Sequence, residues 1–144
     1  MKAAELYEID FAEWTRWNAE LLRSGRASEA DLEHIAEEIE DMGKRERRSL
    51  LHHSTRLIEH LLKWEYQPER RGASWQRTIV VQRQDIVELL EENPSFRAIL
   101  AKLVEKAYRN AVTIVAKVIK RSQTEFPAEC PYTIEQLLNQ DFLP

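Results

Sequence analysis

Cysteine, glycine and proline are scarce in this sequence. The 144 residues include 1 cysteine, 3 glycines and 5 prolines. The single cysteine, Cys130, excludes an intrachain disulfide, which suits a reducing compartment. Few helix-breaking residues, together with many Leu, Glu, Arg and Ala residues, favour helix over sheet. The composition therefore predicts a helical protein without a disulfide framework.

Long apolar runs are also missing. No run approaches the ~20 residues that a membrane-spanning helix requires. The first residues are acidic and lack the apolar segment of a signal peptide. We therefore expect a cytoplasmic protein with no membrane partner. The mass of 17.0 kDa fits one helical domain, residues 1–144, with a core that needs no disulfide or metal for stability.

An excess of positive charge, the usual mark of a nucleic-acid-binding protein, is absent as well. The net charge is −4, and it is unevenly distributed. Residues 1–41 contain 12 acidic and 4 basic side chains, whereas residues 42–144 contain 13 and 17. Such a division can indicate an anionic partner. We favour a simpler interpretation, in which the acidic part faces the basic part within one chain or across a dimer.

Apolar residues at three- and four-residue spacing are plentiful, and this spacing is typical of amphipathic helices. Asp10 can cap the first helix, with Glu13 completing a capping box, and Gly25 follows the end of that helix. Asn93 and Pro94 separate the third helix from the fourth. The predicted helices span residues 10–23, 28–64, 74–92 and 94–121, with a short helix after Thr133.

These helices predict an all-α fold, an up-and-down helical bundle of four main helices plus a short C-terminal helix. We expect residues 7–64 to form a helical hairpin arm and a core helix. Residues 74–121 should form a core helix pair, and residues 122–144 a C-terminal strap and the short helix. The apolar stripe of the long second helix is interrupted at Gly43, Glu46 and Arg47. Either this helix is kinked near Gly43, or the bundle is open and solvated there.

Four segments together are similar to segments of a known family. They are AEEIEDMG at 36–43, HLLKWEYQPERR at 60–71, SWQRTIVVQR at 74–83 and CPYTIEQLLNQDFLP at 130–144. Their order and spacing resemble the bacterial domain-of-unknown-function family 29, which is abundant in cyanobacteria and also found in proteobacteria. The resemblance covers nearly the whole chain, from about Tyr7 to Pro144. It implies a small, almost wholly helical protein, and it brings no activity, cofactor or catalytic residue with it.

The strongest candidate for a metal site lies at the start of the second helix. Carboxylates and an imidazole at helical spacing could bind a divalent ion. One face of this helix carries four such residues: Asp31, His34, Glu38 and Asp41. That face is opposite the apolar stripe that begins at Leu32, so we expect it to be exposed to solvent. An acidic face with i,i+4 pairs to Lys44 and Arg45 explains these residues without a metal.

Motifs of known catalytic sites are missing. There is no glycine-rich phosphate loop and no nucleophile elbow. His53 and His60 flank the apolar stripe near Ser54, where a general base is conceivable. Histidines at such positions more often bond a neighbouring carbonyl or carboxylate. We therefore predict no catalytic residue, no metal and no cofactor, and an enzyme or metal-binding bundle remains the second alternative.

The basic and aromatic region at residues 63–83 is a candidate binding surface. Basic groups beside exposed aromatic rings suit single-stranded nucleic acid. Alternatively, Trp64 and Trp75 are mostly buried and close together, and the arginines bond helix-end carbonyls or acids. The candidate binding residues in and before this region are Glu46, Arg47, His53, His60, Lys63, Arg70, Arg71 and Arg77.

Self-association is the function that these patterns favour. The aromatic residues of the first helix, Phe11, Trp14 and Trp17, exceed what one narrow helix seam hides. We therefore predict a non-catalytic protein-interaction or homo-oligomeric module, with a homodimer formed through residues 10–42. A nucleic-acid-binding regulatory protein that uses residues 63–83 is the first alternative.

Overall fold

The structure is a computed structural model that describes residues 2–144. It is 79% helical, and no strand occurs within the described residues. The helices are α1 (Ala3–Ile9), α2 (Phe11–Arg23), α3 (Leu32–Tyr66), α4 (Ala73–Glu92), α5 (Phe96–Ile119) and α6 (Ile134–Leu138). Short 3-10 turns lie at Ala27–Glu29, Pro68–Arg70 and Gln123–Glu125. The all-α prediction is confirmed: α2 to α5 correspond to the four main predicted helices, and α6 corresponds to the short C-terminal one.

Helix α1 is an addition to the predicted set. Its 7 residues make about two turns, too few for apolar periodicity to be visible in the sequence. Asp10 separates α1 from α2 and caps α2 by accepting a hydrogen bond from the backbone N–H of Glu13 at 3.0 Å. The predicted cap at Asp10 is therefore correct, but Glu13 does not complete a capping box, because its side chain pairs with Arg16. The chain before the cap is helical too.

Helix α3 runs without a break from Leu32 to Tyr66. Gly43 lies inside this helix, and a β-carbon placed on it would meet no atom within 4 Å. The helix surface at Gly43 is therefore open, as one of the two predicted alternatives holds. The predicted start of this helix at residue 28 is wrong, because α3 begins at Leu32. Asp31 precedes it and accepts a hydrogen bond from the backbone N–H of His34 at 3.4 Å.

The chain divides into two compact units, and the division falls within α3 between Arg45 and Glu46. In the first unit, α1, α2 and the beginning of α3 bury Ala3, Trp14 and Leu21. This unit is small, and it also buries the polar side chains of Asn18 and Asp31.

The second unit holds the main apolar core. The rest of α3 packs with α4, α5 and α6, and their buried faces are mainly aliphatic, although they also bury Ser54, His60, Gln82 and Arg83. Its fully buried side chains include Leu57, Leu61, Ile86, Ala107 and Val115.

The predicted strap after α5 is fastened to this core by tyrosine hydroxyls. Tyr108 on α5 donates to the carbonyl of Pro127 at 2.6 Å. Tyr132 in the strap donates to the carboxylate of Glu65 at 2.7 Å. These bonds hold an extended segment that has few backbone partners of its own.

Candidate interaction surface

The first turns of α3 present their polar face to the inside of the first unit. Asp31 is 8% exposed. Its Oδ2 accepts hydrogen bonds from Trp14 Nε1 at 3.0 Å and from His34 Nδ1 at 2.6 Å. The side-chain oxygen of Asn18 accepts a bond from the backbone N–H of Asp31 at 2.8 Å. The prediction that this acidic face is exposed is therefore wrong, because α2 supplies hydrogen-bond partners that make its burial possible.

Helix α1 covers the next part of the same face. The Tyr7 ring stacks on the His34 imidazole with centroids 3.9 Å apart. Its hydroxyl donates to Glu38 Oε1 at 2.5 Å, and this bond raises the pKa of Tyr7 to about 12. Asp41, the last of the four metal candidates, is half-buried one turn further on. Within residues 2–144, no group of three or more His, Cys, Asp or Glu side chains is arranged to hold a metal ion.

Asp31 and His34 form an ion pair whose protonation states reinforce each other. Burial acts to raise the pKa of Asp31, but the hydrogen bonds from Trp14 and His34 outweigh it, so the pKa lies below its usual value. The hydrogen bond to Asp31 raises the pKa of His34 above its usual value. With Asp31 ionised, His34 Nδ1 is the donor, and the polar interior of this unit is electrostatically satisfied.

Apart from the half-buried Ile35, the apolar side chains of the same stretch of α3 face outward. Leu32 is 53% exposed, Ile39 63% and Met42 59%, and Ala36 and Gly43 are exposed beside them. We call these five residues the α3 stripe. At about 100° per residue, four of them (all but Met42) lie within roughly 60° of each other around the helix. The stripe is thus a narrow apolar line along one side of α3, and nothing in the first unit covers it.

A glycine at the centre of a long helix is costly. Gly43 destabilises a helix interior by roughly 0.5–1 kcal/mol relative to alanine. No neighbouring atom in the structure requires the missing side chain, because a β-carbon here would meet open space. The contacts that the chain makes with itself therefore do not explain this glycine.

A groove of about 580 Å³ opens beside the start of the stripe. Leu32 belongs to its lining, and Trp17 and Leu21 form the apolar part of its wall. Ala3 and Ala4 of α1 line the opposite side. The apolar surface available to a partner is therefore wider at the Leu32 end than the stripe alone.

The aromatic residues of α2 are only partly available to a partner. Trp14 is buried within the first unit, Trp17 is half-buried and Phe11 is exposed. The Tyr7 ring packs edge-on against Phe11 and Trp14. The predicted excess of unburied aromatic surface is smaller than expected, since the unpredicted helix α1 covers part of it.

The candidate residues of the middle of α3 are engaged in local contacts. His53 Nδ1 lies 2.6 Å from Gln82 Oε1 and 3.6 Å from Asp85 Oδ2. His60 is buried, its Nδ1 bonds the carbonyl of Arg56 at 2.9 Å, and burial lowers its pKa. Both histidines thus follow the structural interpretation. Glu46 is half-buried and Arg47 exposed.

The basic candidates at residues 63–83 do not form one cluster. Lys63 pairs with Glu59 at 3.1 Å, and Arg70 is exposed. Arg71 donates to the carbonyl of Trp64 at 2.7 Å and lies over its ring at 5.4 Å. Arg77 lines a small pocket of about 200 Å³. Trp64 and Trp75 are each covered over most of their surface, as expected, and Trp64 packs against the apolar core.

Arg83 is a residue whose role the sequence concealed. Its position among basic residues suggested a surface cation, yet the side chain is completely buried. Its Nε and Nη2 donate to the carbonyls of Leu137 and Gln136 at 2.9 and 3.1 Å. Arg83 thus fixes α6 at its C-terminal end, where the helix dipole favours a cation. The only sequence signal of this burial was the place of Arg83 on the inner face of α4, between Gln82 and Ile86.

The fold and this surface define the class of the protein. It is all-helical, its first unit has a hydrogen-bonded polar interior, and its longest helix carries an uncovered apolar line. None of the helices in residues 2–144 combines the length and hydrophobicity needed to cross a membrane. A family model described as "Domain of unknown function DUF29" matches residues 6–143, and the chain belongs to this family. No curated protein and no solved structure matches the chain.

Proposed function

We propose that this protein is a non-catalytic interaction module that self-associates through the α3 stripe. The observation that carries the proposal is the exposure of Leu32 and Ile39 in line along one helix, with Met42 exposed beside them. Single exposed apolar residues are ordinary, whereas an aligned set marks a surface that binds a protein. Methionine and branched aliphatic residues are well suited to the centre of such a surface.

A second copy is the partner that this surface fits best. A helix face that pairs with itself about a two-fold axis needs no other protein, and such symmetric dimers are the commonest oligomers. The sign of charge also changes along the helix, from acidic residues at 37, 38, 40 and 41 to Lys44 and Arg45. Two copies can therefore place unlike charges beside the apolar line.

The state of the titratable groups supports a role without catalysis. His53 and His60 are held by Gln82 and by a backbone carbonyl. Burial raises the pKa of the Cys130 thiol, which disfavours the reactive thiolate. These contacts suit residues with a structural role.

Light scattering after size exclusion tests the proposal, over protein concentrations from about 1 to 200 μM in roughly 0.15 M salt. We expect a mass that approaches twice the 17.0 kDa of the chain as concentration rises. Ile39→Glu should abolish this rise, because it places a charge in the middle of the stripe.

Val118→Glu is the matched control. Val118 is 61% exposed on α5, close to the 63% of Ile39, but it lies in the other unit. The Val118→Glu variant should dimerise like the unaltered chain. A chain that stays monomeric throughout the range, or equal effects of the two variants, refutes self-association through the stripe.

A further inference from the structure

We infer that the two copies pair antiparallel along α3, with Leu32 of one copy against Gly43 of the other. This inference rests on the self-association proposed above and specifies its geometry. It depends on the order of large and small residues in the α3 stripe and on the open space at Gly43.

Large and small residues alternate along the narrow part of the stripe: Leu32, Ala36, Ile39 and Gly43. In an antiparallel pair related by a two-fold axis, Leu32 meets Gly43 and Ile39 meets Ala36. Both pairs are centred on the peptide between Glu37 and Glu38, so one axis satisfies them both. Each bulky side chain then has a small residue opposite it, which lets two helices approach at the short end of the usual 8–10 Å spacing.

A parallel pair in register lacks this complementarity. It would place Leu32 on Leu32 and Gly43 on Gly43, so the bulky residues would hold the helices apart where the glycines leave a gap. Gaps of this kind forfeit dispersion contacts on both sides. The antiparallel arrangement also explains why α3 has a glycine at 43, where no atom of its own chain comes within 4 Å of a β-carbon.

Gly43→Leu tests the register directly. The added side chain points into open space in a single copy, so the helix content by circular dichroism should not fall. In the antiparallel pair it meets Leu32 of the other copy, and overpacking of this kind should weaken the dimer about tenfold or more. Ala101→Leu, at an exposed position of α5, adds bulk of the same kind away from the stripe and should leave the dimer unchanged.

The exchange variant Leu32→Ala with Gly43→Leu provides the second test. It moves the large residue from one end of the stripe to the other, and the two-fold axis restores a large–small pair at each contact. We expect this double variant to dimerise more tightly than Gly43→Leu alone. A double variant no tighter than Gly43→Leu, or a Gly43→Leu dimer as tight as the unaltered one, overturns the antiparallel register.

Failure of the register and failure of self-association are distinguishable. If the unaltered chain and Ala101→Leu are both monomers, the proposed function itself is wrong. If both form dimers that Ile39→Glu dissociates while Gly43→Leu does not, self-association through the stripe stands and only the register is wrong.

Discussion

The two units bury opposite kinds of side chain with the same helix. In the first unit, α3 turns Asp31 and His34 inward and leaves Leu32 and Ile39 exposed. In the second unit, α3 buries residues such as Leu61 completely and leaves its arginines outside. An apolar stripe on a helix therefore predicts an interface, but it does not tell whether the partner belongs to the same chain.

The difference has an energetic basis. An apolar face gains free energy wherever it leaves water, at about 25 cal/mol per Å². A buried carboxylate is costly unless specific donors surround it, and the first unit supplies these donors from Trp14 and His34. The Asn18 side-chain oxygen accepts a hydrogen bond from the backbone N–H of Asp31. The polar network and the buried Trp14 and Leu21 therefore hold the helices of the first unit together while the α3 stripe stays exposed.

The largest effect that would sharpen this comparison is expected from Leu61→Ala. Leu61 is fully buried in the second unit, so its truncation should lower the free energy of unfolding by about 2–5 kcal/mol. Leu32→Ala removes the same atoms from the exposed stripe and should change the free energy of unfolding by less than roughly 0.5 kcal/mol. Urea unfolding at low micromolar concentration measures both. Equal losses would mean that Leu32 is buried within its own chain, which would contradict the difference described between the two units.

An intermediate effect is expected from Asp31→Asn. This change removes the charged acceptor of two side-chain hydrogen bonds inside the first unit, which should cost about 1–3 kcal/mol. Asp41→Asn, on the same face but half-buried, serves as the control and should cost less than about 0.5 kcal/mol. Hydrogen exchange of α1 and α2 should accelerate only in the first variant. Unchanged exchange there would show that the polar network does not hold this unit together.

The smallest effect concerns pH. The pKa of Asp31 is lowered in the folded state, so its stabilisation is present above the unfolded value near 4 and disappears as pH falls through the folded value. The pKa of His34 is raised, so its contribution is complete below the unfolded value near 6.5 and disappears as pH rises through the folded value. Protection of α1 and α2 from hydrogen exchange should therefore be greatest between about pH 4 and 6.5.

His34→Gln separates this effect from the general pH dependence of the chain. The glutamine keeps a donor for Asp31 but does not titrate, so the decline of protection above about pH 6.5 should disappear. Exchange rates have to be corrected for their intrinsic pH dependence before the two chains are compared. A decline of equal size in both chains would assign it to another group.

Much of the fold could be predicted from local sequence. The cap at Asp10 and the boundary at Asn93 were correct, and so was the cap of α6, where the side chain of Thr133 accepts a bond from the backbone N–H of Gln136 at 3.1 Å. Helix α1 was missed because two turns carry too little periodicity. The candidate site was harder: the residues of the α3 stripe were recognised as apolar, but they were assigned to the inside.

The sequence by itself determined where the main helices lie, because caps and helical periodicity act over three or four residues. Only the tertiary structure decided which side of α3 faces inward. That choice depends on the hydrogen bond between Trp14 and Asp31, which are 17 residues apart, and on the bond between Tyr7 and Glu38, which are 31 apart. The local sequence determines which residues form each face of an amphipathic helix. Which face is covered depends on the partners that distant residues provide.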